Sequence, residues 1–557
     1  MEKWQQIYDP LKVSGMPEFL ISALVAAIPL YILFYMLAVK RAAGHKAAFA
    51  GTLAAIILAI AVWGMPVGLA INSTVMGACF GLFPIIWIVI TAVWIYNMTV
   101  ESGEFEIIKN SLASMTDDRR LQAIFIAFAF GSFIEGTAGF GTPVAITAAM
   151  LVGLGFSPLY AAGICLIANT APVAFGAIGI PIIVAGSASG LPNADGAAML
   201  HISKIVGRQL PFLSIIVPFW VSVTMCGFKR TLEIVPALVV AGVCFAGTQF
   251  LTSNYLGPYL PDILSAMVTI VGLIFLLRVW KPKSIFHFPD EKATSGPTAS
   301  NYATGEILRA WMPYIILAAF VTVWGLGSFK GAVRGIEGFA LGIAWPGLDG
   351  AVEQTAPIVK AAKIYAAKYN FNFVSAGGTA IFLSGIIAAF IMPNYSIGKA
   401  LACFKRTCYQ LRFPIVTISM ILGLAYIMNY SGMSCTLGLA FTKTGALFPF
   451  FAPLLGWLGV FLTGSDTSSN ALFSSLQATT AQQVGVDPYL TVASNSSGGV
   501  TGKMISPQSI SVATSATGMV GQEGDLFRFT IFHSLAMTGV VCIITLLQAY
   551  PLKWMLP

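Results

Sequence analysis

Two polar, glycine-rich interruptions lie within long hydrophobic stretches near opposite ends of this chain. The first reads Phe133-Ile-Glu-Gly-Thr-Ala-Gly-Phe-Gly-Thr-Pro143, and the second reads Phe461-Leu-Thr-Gly-Ser-Asp-Thr-Ser-Ser-Asn470. Another polar run follows each of them, Asn169-Thr-Ala-Pro172 and Asn495-Ser-Ser-Gly-Gly499. An unpaired backbone group costs several kcal/mol in hydrocarbon, so irregular backbone at that depth must be buried in protein or line a cavity.

The composition places the chain in a membrane. Of its 557 residues, 57% are hydrophobic and only 9% are charged, which predicts an all-α polytopic membrane protein with a single membrane domain, 1–557. The eight cysteines are scattered without a CxxC or Cys/His cluster, so we expect neither a disulfide framework nor a metal site. The net charge of +8 comes mostly from short loops, which indicates membrane topology and no nucleic-acid partner.

A helix needs about 20 apolar residues to cross a bilayer, and on this basis we predict twelve spans. Two further stretches, 121–155 and 446–485, are interrupted at their middles and are predicted as re-entrant helical hairpins. Residues 66–81 are predicted as an interfacial or tilted helix. The twelve predicted spans are 19–39, 47–64, 82–100, 158–187, 211–227, 233–253, 263–280, 310–326, 374–392, 413–430, 488–520 and 530–550.

Basic residues indicate the orientation, because cytoplasmic loops carry an excess of Lys and Arg. With the N-terminus outside, the basic loops fall on the cytoplasmic side, except for the 327–373 loop, where three acidic residues dilute the charge. This topology makes 19–227 a first repeat, 233–280 a connector and 310–550 a second repeat of opposite orientation. Each repeat contains a hairpin (121–155 and 446–485) and a broken helix (158–187 and 488–520).

The repeat is also visible in single residues, at a constant offset along the chain. Inverted repeats of this kind place a transporter's substrate site at their interface, near the middle of the membrane. The sequence therefore predicts that the two interruptions meet there. The matching residues are Asn169, Thr170, Gly176 and Pro181 with Asn495, Ser496, Gly502 and Pro507.

Ionisable residues at bilayer depth are candidates for proton relays or for ligands of charged substrates. Glu135 and Asp466 lie in the two interruptions and are the predicted proton-coupling residues, while Lys503 would supply a positive charge. The alternative is that Lys503 forms a buried structural ion pair with one of the carboxylates. His533, near the start of the last span, is equally compatible with an interfacial position.

The polar residues of the interruptions are the predicted substrate ligands. Exposed half-helix N-termini carry partial positive charge that suits a carboxylate, and amide and hydroxyl groups can bind its oxygens and a substrate hydroxyl. Pro172 and the pair Gly498–Gly499 are predicted to unwind their helices; the alternative is that they only kink packed helices. The substrate-binding candidates are Gly136, Thr137, Gly139, Gly141, Thr142, Asn169, Thr170, Ser465, Thr467, Ser468, Ser469, Asn470, Asn495, Ser496, Ser497 and Lys503.

Long runs of this sequence resemble the lactate permease family along nearly the whole chain. Besides Phe133–Ile146 and Asn169–Ala177, the matching runs are Val206-Gly-Arg-Gln-Leu-Pro211, Asn429-Tyr-Ser-Gly432, Thr463-Gly-Ser-Asp-Thr-Ser-Ser-Asn470 and Gly499-Val-Thr-Gly-Lys-Met-Ile-Ser-Pro507. The resemblance implies a multi-pass permease of a bacterial or archaeal plasma membrane. Such a permease takes up L-lactate, often D-lactate and glycolate, together with protons.

The resemblance further implies a small 2-hydroxy monocarboxylate as partner, besides the lipid bilayer, and no cofactor beyond the co-transported proton. Family members often carry Ala where this chain has Thr137 and Thr142, so the preference among 2-hydroxy acids stays open, as does assembly into a homo-oligomer. The plan of hairpins and broken helices looks like that of the wider ion-transporter superfamily, which implies an elevator-type motion by analogy.

Other functions are weighed against this prediction. A sodium-coupled carrier of small carboxylates is the nearest alternative, because oxygens around Ser465, Thr467, Ser468 and Asn470 could surround Na⁺. An intramembrane hydrolase is disfavoured, because the four histidines are dispersed and no Ser/His pair shares a depth; the chain is not expected to be an enzyme. A receptor is disfavoured because no cytoplasmic output domain is present, and a channel would not explain two inverted interruptions.

Overall fold

The chain is predominantly helical, because apolar sequence can satisfy its backbone groups in lipid only within helices. Among the residues outside the described ranges are Arg41 and 289–301, from two of the predicted basic loops, and Phe140 of the first interruption. The computed structural model describes residues 3–12, 18–40, 42–139, 141–192, 196–288, 302–393 and 395–557.

Twelve α-helices precede the predicted connector. The longest of them, α12, begins well before the predicted span 211–227, because its polar first half packs inside the protein. They are α1 (Leu20–Ala26), α2 (Ile28–Phe34), α3 (Gly44–Ala61), α4 (Val67–Phe80), α5 (Trp87–Glu101), α6 (Glu104–Ala113), α7 (Arg119–Ala123), α8 (Gly131–Thr137), α9 (Thr142–Gly153), α10 (Pro158–Ala168), α11 (Gly176–Ala188) and α12 (Ala197–Thr231).

The connector and the second part of the chain supply the remaining α-helices. The connector consists of α13 (Val235–Tyr255) and α14 (Pro261–Val279). The later helices are α15 (Thr304–Gly325), α16 (Gly327–Glu337), α17 (Gly377–Ile391), α18 (Ile397–Gln410), α19 (Arg412–Ser431), α20 (Met433–Phe441), α21 (Phe448–Thr463), α22 (Asp466–Val484), α23 (Pro488–Lys503), α24 (Pro507–Thr517) and α25 (Glu523–Ala549).

Short helical segments of other types join some of these helices. The π-helical segments, which often mark functional sites, are Tyr35–Val39, Gly81–Ile86 and Ile124–Phe130. The 3₁₀ turns are Val173–Phe175, Leu232–Ile234, Gly338–Ala340, Thr442–Leu447 and Lys553–Met555.

Among the described residues, five short strands depart from the all-α prediction. They are β1 (Trp4–Gln5), β2 (Ile343–Ala344), β3 (Val352–Gln354), β4 (Lys363–Ile364) and β5 (Lys368–Tyr369). Strand β3 lies between β1, to which it is parallel, and β4, to which it is antiparallel, while β2 and β5 form an antiparallel pair. The strands form because these polar segments are not apolar enough to be spans and pair their backbones with each other instead. The pairing places the N-terminal segment and the 327–373 loop on the same side of the molecule.

Counted by length and composition, the spans are fewer than the twelve predicted. Among the described residues, eight helical stretches are long and apolar enough to cross a membrane, or up to ten if each of two bent pairs counts as one span. One bent pair is Pro158–Ala168 with Val173–Ala188, which turns by 64°. Helices α9 and α17 are apolar but shorter. Helix α22 is long enough but too polar, and α23 and α24 are too short.

The most deeply buried helices are the ones that the sequence interrupts. Every residue of α8 is buried, and so is nearly every residue of α11, α22 and α23. Helices α3, α13, α14 and α25 instead expose one apolar face, as expected of helices that face lipid. The polar helices therefore occupy the interior, where a polar backbone break is tolerated in a membrane.

Helix α4, predicted as an interfacial or tilted helix, packs within this bundle. It contacts α3 and α19, and a Cβ placed on Gly77 would collide with the carbonyl group of Leu422. A Cβ on Gly81 would lie 2.9 Å from the Cα atom of Ser419. Small residues of this kind allow membrane helices to approach closely, so α4 and α19 form one packed unit.

The prediction of unwound backbone at Asn495–Gly499 is wrong. These residues lie in the interior of α23, which continues to Lys503, and the helix is interrupted only between Lys503 and Pro507. A Cβ on Gly498 would collide with the Pro453 carbonyl of α21. The two glycines thus permit close approach of α21 and α23 rather than unwinding. The alternative, that they serve helix packing, is closer to the structure.

This packing gives a prediction for Gly498→Ala. The added methyl group has no space between α21 and α23, so we expect about 1–3 kcal/mol of destabilisation from overpacking. Gly539→Ala is the matched control, because Gly539 lies in α25 and nothing is within 4 Å of the position that its new Cβ would take. Thermal unfolding of both purified variants in detergent checks this, and equal midpoints for the two variants would contradict the close contact.

Candidate functional site

The first break separates α8 from α9, and its described residues are Ala138, Gly139 and Gly141. Its glycines take left-handed backbone conformations, with φ of 57° at Gly139 and 84° at Gly141, which a residue with a side chain adopts only with strain. The hydroxyl group of Thr137 donates to the carbonyl of Phe133 at 3.0 Å, so it is occupied by its own helix. Thr142 opens α9 and is half-buried.

The second break separates α21 from α22 and consists of Gly464 and Ser465. Gly464 is left-handed with φ of 72°, and the Ser465 hydroxyl accepts a hydrogen bond from the Ser468 amide at 3.2 Å, capping α22. Asp466 is therefore the first residue of a helix, where the partial positive charge of the N-terminus stabilises a carboxylate. Thr467 is half-buried and Ser468 is buried on the same turn.

The first broken helix turns at Asn169–Pro172, where the sequence places an interruption. The carbonyl of Ala171, released from helical pairing, accepts a hydrogen bond from the Gln249 side chain at 3.0 Å. The backbone stays irregular as far as Gly179, with left-handed φ of 44° at Ala177 and 58° at Ile178. Positive φ at a β-branched residue is strained, and such strain clusters at functional sites.

Glu135 lies against this irregular segment. A Cβ placed on Gly176 would be 2.6 Å from Oε1 of Glu135, so the carboxyl group occupies the space that a larger residue would fill. Asn169 also lies beside the Glu135 carboxyl group, although its amide does not reach hydrogen-bonding geometry with any described residue. The first break and the first broken helix therefore meet at Glu135.

Asp466 is the centre of a hydrogen-bonded network in the second half of the chain. Its Oδ2 accepts from the Ser496 hydroxyl at 2.6 Å and from the Asn470 amide at 3.3 Å. Asn495 donates to Oδ1 of Asn470 at 2.9 Å and accepts from Gln477 at 3.1 Å. The second break and α23 are thus joined by the side chains that the sequence singled out.

The two halves are linked directly at this network. The Asn470 amide also donates to the carbonyl of Pro181 at 3.1 Å, and α11 packs along α22. Pro181 has no N–H to donate and lies in the first broken helix just after its irregular segment. The polar elements of both halves therefore share one interior region.

Three ionisable side chains, Glu135, Asp466 and Lys503, form what we call the charge cluster. They are 3%, 2% and 8% exposed, and the charge of Lys503 acts on both carboxyl groups, which also act on each other. Among the described residues no ion pair or hydrogen bond joins Lys503 to either carboxyl group, so the predicted structural ion pair is not formed. A buried charge without a partner is costly, so the burial of Lys503 calls for an explanation.

Several buried polar atoms of the helices on either side of the two breaks and of the broken helices have no hydrogen-bond partner among the described residues. Buried polar groups are nearly always paired, and each exception calls for an explanation such as a water or a ligand. A small polar ligand among these groups would satisfy several of them at once. They are Oε2 of Glu135, Oδ1 of Asp466, the amide atoms of Asn169, and the hydroxyl groups of Thr170 and Ser497.

Some candidates are occupied elsewhere. Ser469 donates to the Gly456 carbonyl at 3.2 Å, which is a packing contact between α22 and α21. His533 is half-buried and its Nδ1 accepts from the indole of Trp220 at 2.8 Å, so its environment is explained by that hydrogen bond. Gly136 packs on α14, and Gly139 and Gly141 pack on Ala177 and Val512.

Asp262, the second residue of α14, is not among the residues predicted from the sequence. It is 1% exposed, and a Cβ placed on Gly136 would lie 2.8 Å from its Cβ. An acidic residue that follows a proline at the start of a predicted span is usually exposed at the membrane surface, so Asp262 was not expected to be buried. One signal was available, since no other acidic residue lies between Glu233 and Asp290.

Comparison with known proteins gives the same family as the sequence motifs. The model of the L-lactate permease family matches residues 22–552. The chain is 50% identical to glycolate permease GlcA of Escherichia coli (strain K12) and 49% identical to L-lactate permease of Bacillus subtilis (strain 168), with 100% of both chains covered in each case. The solved structure of MtrF from Neisseria gonorrhoeae aligns over 96% of each chain at 12% identity, but its TM-score of 0.45 is too low to argue from.

The predicted resemblance is therefore confirmed over the whole chain rather than at isolated motifs. The relatives are permeases, and the apolar helices of the described residues suit a multi-pass protein of the plasma membrane. This chain belongs to the L-lactate permease family of membrane transporters.

Proposed function

We propose that this chain imports lactate, as the L- and D-isomers, and glycolate across the plasma membrane by proton symport. The observation that carries the proposal is the charge cluster, where one lysine and two carboxyl groups from both halves of the chain are buried together and no ion pair joins them among the described residues. The names of the relatives, L-lactate permease and glycolate permease, support the choice of substrates.

Lys503 is the proposed ligand of the substrate carboxylate. It is the only lysine or arginine of α22 and α23, and a carboxylate beside it would form a charge-assisted hydrogen bond. Asn169, Thr170 and Ser497 have buried donors and acceptors without a partner among the described residues, which suit the second carboxylate oxygen and the 2-hydroxyl group. Thr137 contributes less, because its hydroxyl group is bound to its own helix.

Glu135 and Asp466 are the proposed proton acceptors. A substrate anion that pairs with Lys503 removes the positive charge that balances the carboxylates, so a proton must enter to limit the buried negative charge. This exchange predicts one proton for each substrate anion. It also removes the cost of moving a negative charge against the membrane potential, which is about 2.3 kcal/mol per 100 mV.

The proposed architecture is that of an inverted repeat with twelve spans and two re-entrant hairpins, similar to the ion-transporter superfamily. Its support is the occurrence in each half of a glycine break, at 138–141 and 464–465, followed by an interrupted helix. Alternating access in such proteins moves one bundle against the other around a fixed site. We propose an elevator-type movement of the two hairpins and broken helices together.

Sodium coupling is the alternative. Ser465, Thr467, Ser468 and Asn470 would be the ligands, but the Ser465 hydroxyl already accepts from the Ser468 amide and the Asn470 carbonyl already accepts from Asn495. Oxygens that are already acceptors in hydrogen bonds are less available to a cation. The proton is therefore the preferred coupling ion.

Uptake by purified protein in proteoliposomes tests the proposal. With an inward proton gradient and no sodium, we expect accumulation of labelled L-lactate, D-lactate and glycolate above the level of protein-free vesicles. Succinate serves as the control substrate, because a second carboxylate has no partner in a cluster with one lysine. Accumulation driven by a sodium gradient alone would favour the alternative, and no uptake under either gradient would refute carboxylate transport.

The proton-coupling assignment predicts the behaviour of Glu135→Gln and Asp466→Asn. Both amides mimic a protonated carboxyl group, so we expect pH-driven accumulation to fall at least tenfold while counterflow exchange of lactate, which needs no net proton movement, persists. Glu306→Gln is the control, because Glu306 is exposed at the start of α15. Wild-type accumulation in both variants would contradict the assignment.

The substrate assignment predicts the effect of Lys503→Met. Loss of a charged partner in a buried site costs about 2–5 kcal/mol, so the half-saturating concentration in counterflow exchange should rise at least tenfold. Lys443→Met provides the comparison, because Lys443 is exposed in the Thr442–Leu447 turn. An unchanged half-saturating concentration in Lys503→Met would exclude Lys503 as the ligand of the carboxylate.

A further inference from the structure

Asp262 is a buried acidic residue that the proposed transport cycle does not yet use. Neither of its carboxyl oxygens has a hydrogen-bond partner among the described residues, although the residue is 1% exposed. It follows the turn between α13 and α14, which is itself inserted into the protein, since a Cβ on Gly179 would collide with the Pro258 carbonyl. The connector thus brings a carboxyl group to the irregular segment of the first broken helix.

The neighbour of Asp262 is α8, the helix that precedes the first break. Helix α14 packs on α8, and a Cβ placed on Gly136 would lie 2.8 Å from the Cβ of Asp262, so the side chain of Asp262 starts beside the residue that follows Glu135. The charge of Glu135 acts on Asp262. Two carboxyl groups on packed helices are thus buried, and neither Oε2 of Glu135 nor either oxygen of Asp262 has a hydrogen-bond partner among the described residues.

Within the described part of the chain, no other charged group faces Asp262 from the elements that pack on α14. Helices α11 and α13 and the Ile124–Phe130 segment contain no Asp, Glu, Lys, Arg or His. Their titratable side chains are Cys244, which packs on Gly272, and Tyr255, which is exposed. The charges that remain are those of the charge cluster itself, with Lys503 and Asp466 acting on Glu135.

The balance of charges shows why Asp262 matters. With Asp262 included, the buried region holds three carboxyl groups and one ammonium group. Lys503 can offset one carboxylate, and like charges at close range cannot all ionise in a buried site. The region is neutral when two protons occupy the three carboxyl groups, and a third proton restores neutrality when a substrate anion binds.

We propose that Asp262 is a proton-binding residue of the transport site and titrates as a pair with Glu135. The proton leaves one carboxyl oxygen of the pair and is taken by the other, so no further reactant is needed. Asp262 then controls how strongly Glu135 holds its proton, because repulsion by an ionised Asp262 favours the protonated form of Glu135. This proposal rests on the proposed proton symport and extends it to the connector.

The test is the pH profile of lactate uptake in proteoliposomes by Asp262→Asn. Without the repelling carboxylate, Glu135 releases its proton more readily, so the midpoint of the alkaline decline should move toward acidic pH by about one unit, which is a tenfold change in proton affinity. Counterflow exchange at acidic pH is measured in parallel to show that the variant is folded and binds lactate. Asp525→Asn is the matched control, since Asp525 is an exposed aspartate in the first turn of α25, and its profile should not move.

The double variant Glu135→Gln/Asp262→Asn separates pairing from independent action. If the two residues titrate together, the double variant should show the pH profile of Glu135→Gln alone. If the asparagine variant does not reach the membrane, the same pH profile is measured with Asp262→Ser, which has a smaller side chain beside Gly136.

The outcomes distinguish this proposal from the proposed function. An active Asp262→Asn protein with the wild-type pH profile would overturn the role of Asp262 and leave proton symport intact. Asparagine mimics a protonated aspartate, so an unchanged profile would mean that Asp262 never releases its proton during transport. Absence of proton-driven uptake by the wild-type protein would instead refute the proposed symport, on which the role of Asp262 depends.

Discussion

Charge is costly to bury in an apolar interior, and this cost governs the arrangement of the buried polar groups. Glu135, Asp466 and Lys503 are almost fully buried, yet no ion pair joins the lysine to either carboxyl group among the described residues. Such an arrangement is stable only if protons or a bound anion adjust the charge. A protein whose interior requires this adjustment is suited to binding a proton and a small anion together.

The polar interior is held in place by close helix packing. Glycines at 498 and 499 allow α23 to contact Pro453 of α21 and the carboxyl group of Asp466. Since van der Waals contact replaces the hydrophobic effect as the force between helices in a membrane, these contacts fix the side chains of Ser496 and Asn495 where they can bind Asp466 and Asn470. The network around Asp466 is therefore a consequence of glycine positions as much as of polar residues.

In the first half of the chain, the polar interior is stabilised by contacts with the connector. Its broken helix leaves helical geometry over Ala177–Gly179, and the freed backbone is satisfied or covered by the connector, through Gln249 and the turn that contains Pro258. In the second half, α23 stays helical through Asn495–Gly499, which correspond to Asn169–Val173, and is interrupted only between Lys503 and Pro507. The two halves are thus similar in sequence pattern but unequal in backbone, which explains why residue matching alone misplaced the second interruption.

Local signals in the chain are enough to establish the membrane class, the family, both glycine breaks and the identity of the buried charges. Hydrophobicity, glycines in polar runs and rare ionisable residues can all be read without knowing what packs against them. The same signals did not establish that Asn495–Gly499 stay helical, that Asn470 binds the Pro181 carbonyl, that the N-terminal segment forms a strand with the 327–373 loop, or that Asp262 lies against Gly136. Each of these depends on contacts between segments far apart in the chain. Such contacts decide which side chains are buried together. In this protein they bring Glu135, Asp466, Lys503 and Asp262 into the interior, where the cost of burying charge limits how many of them can be ionised at once.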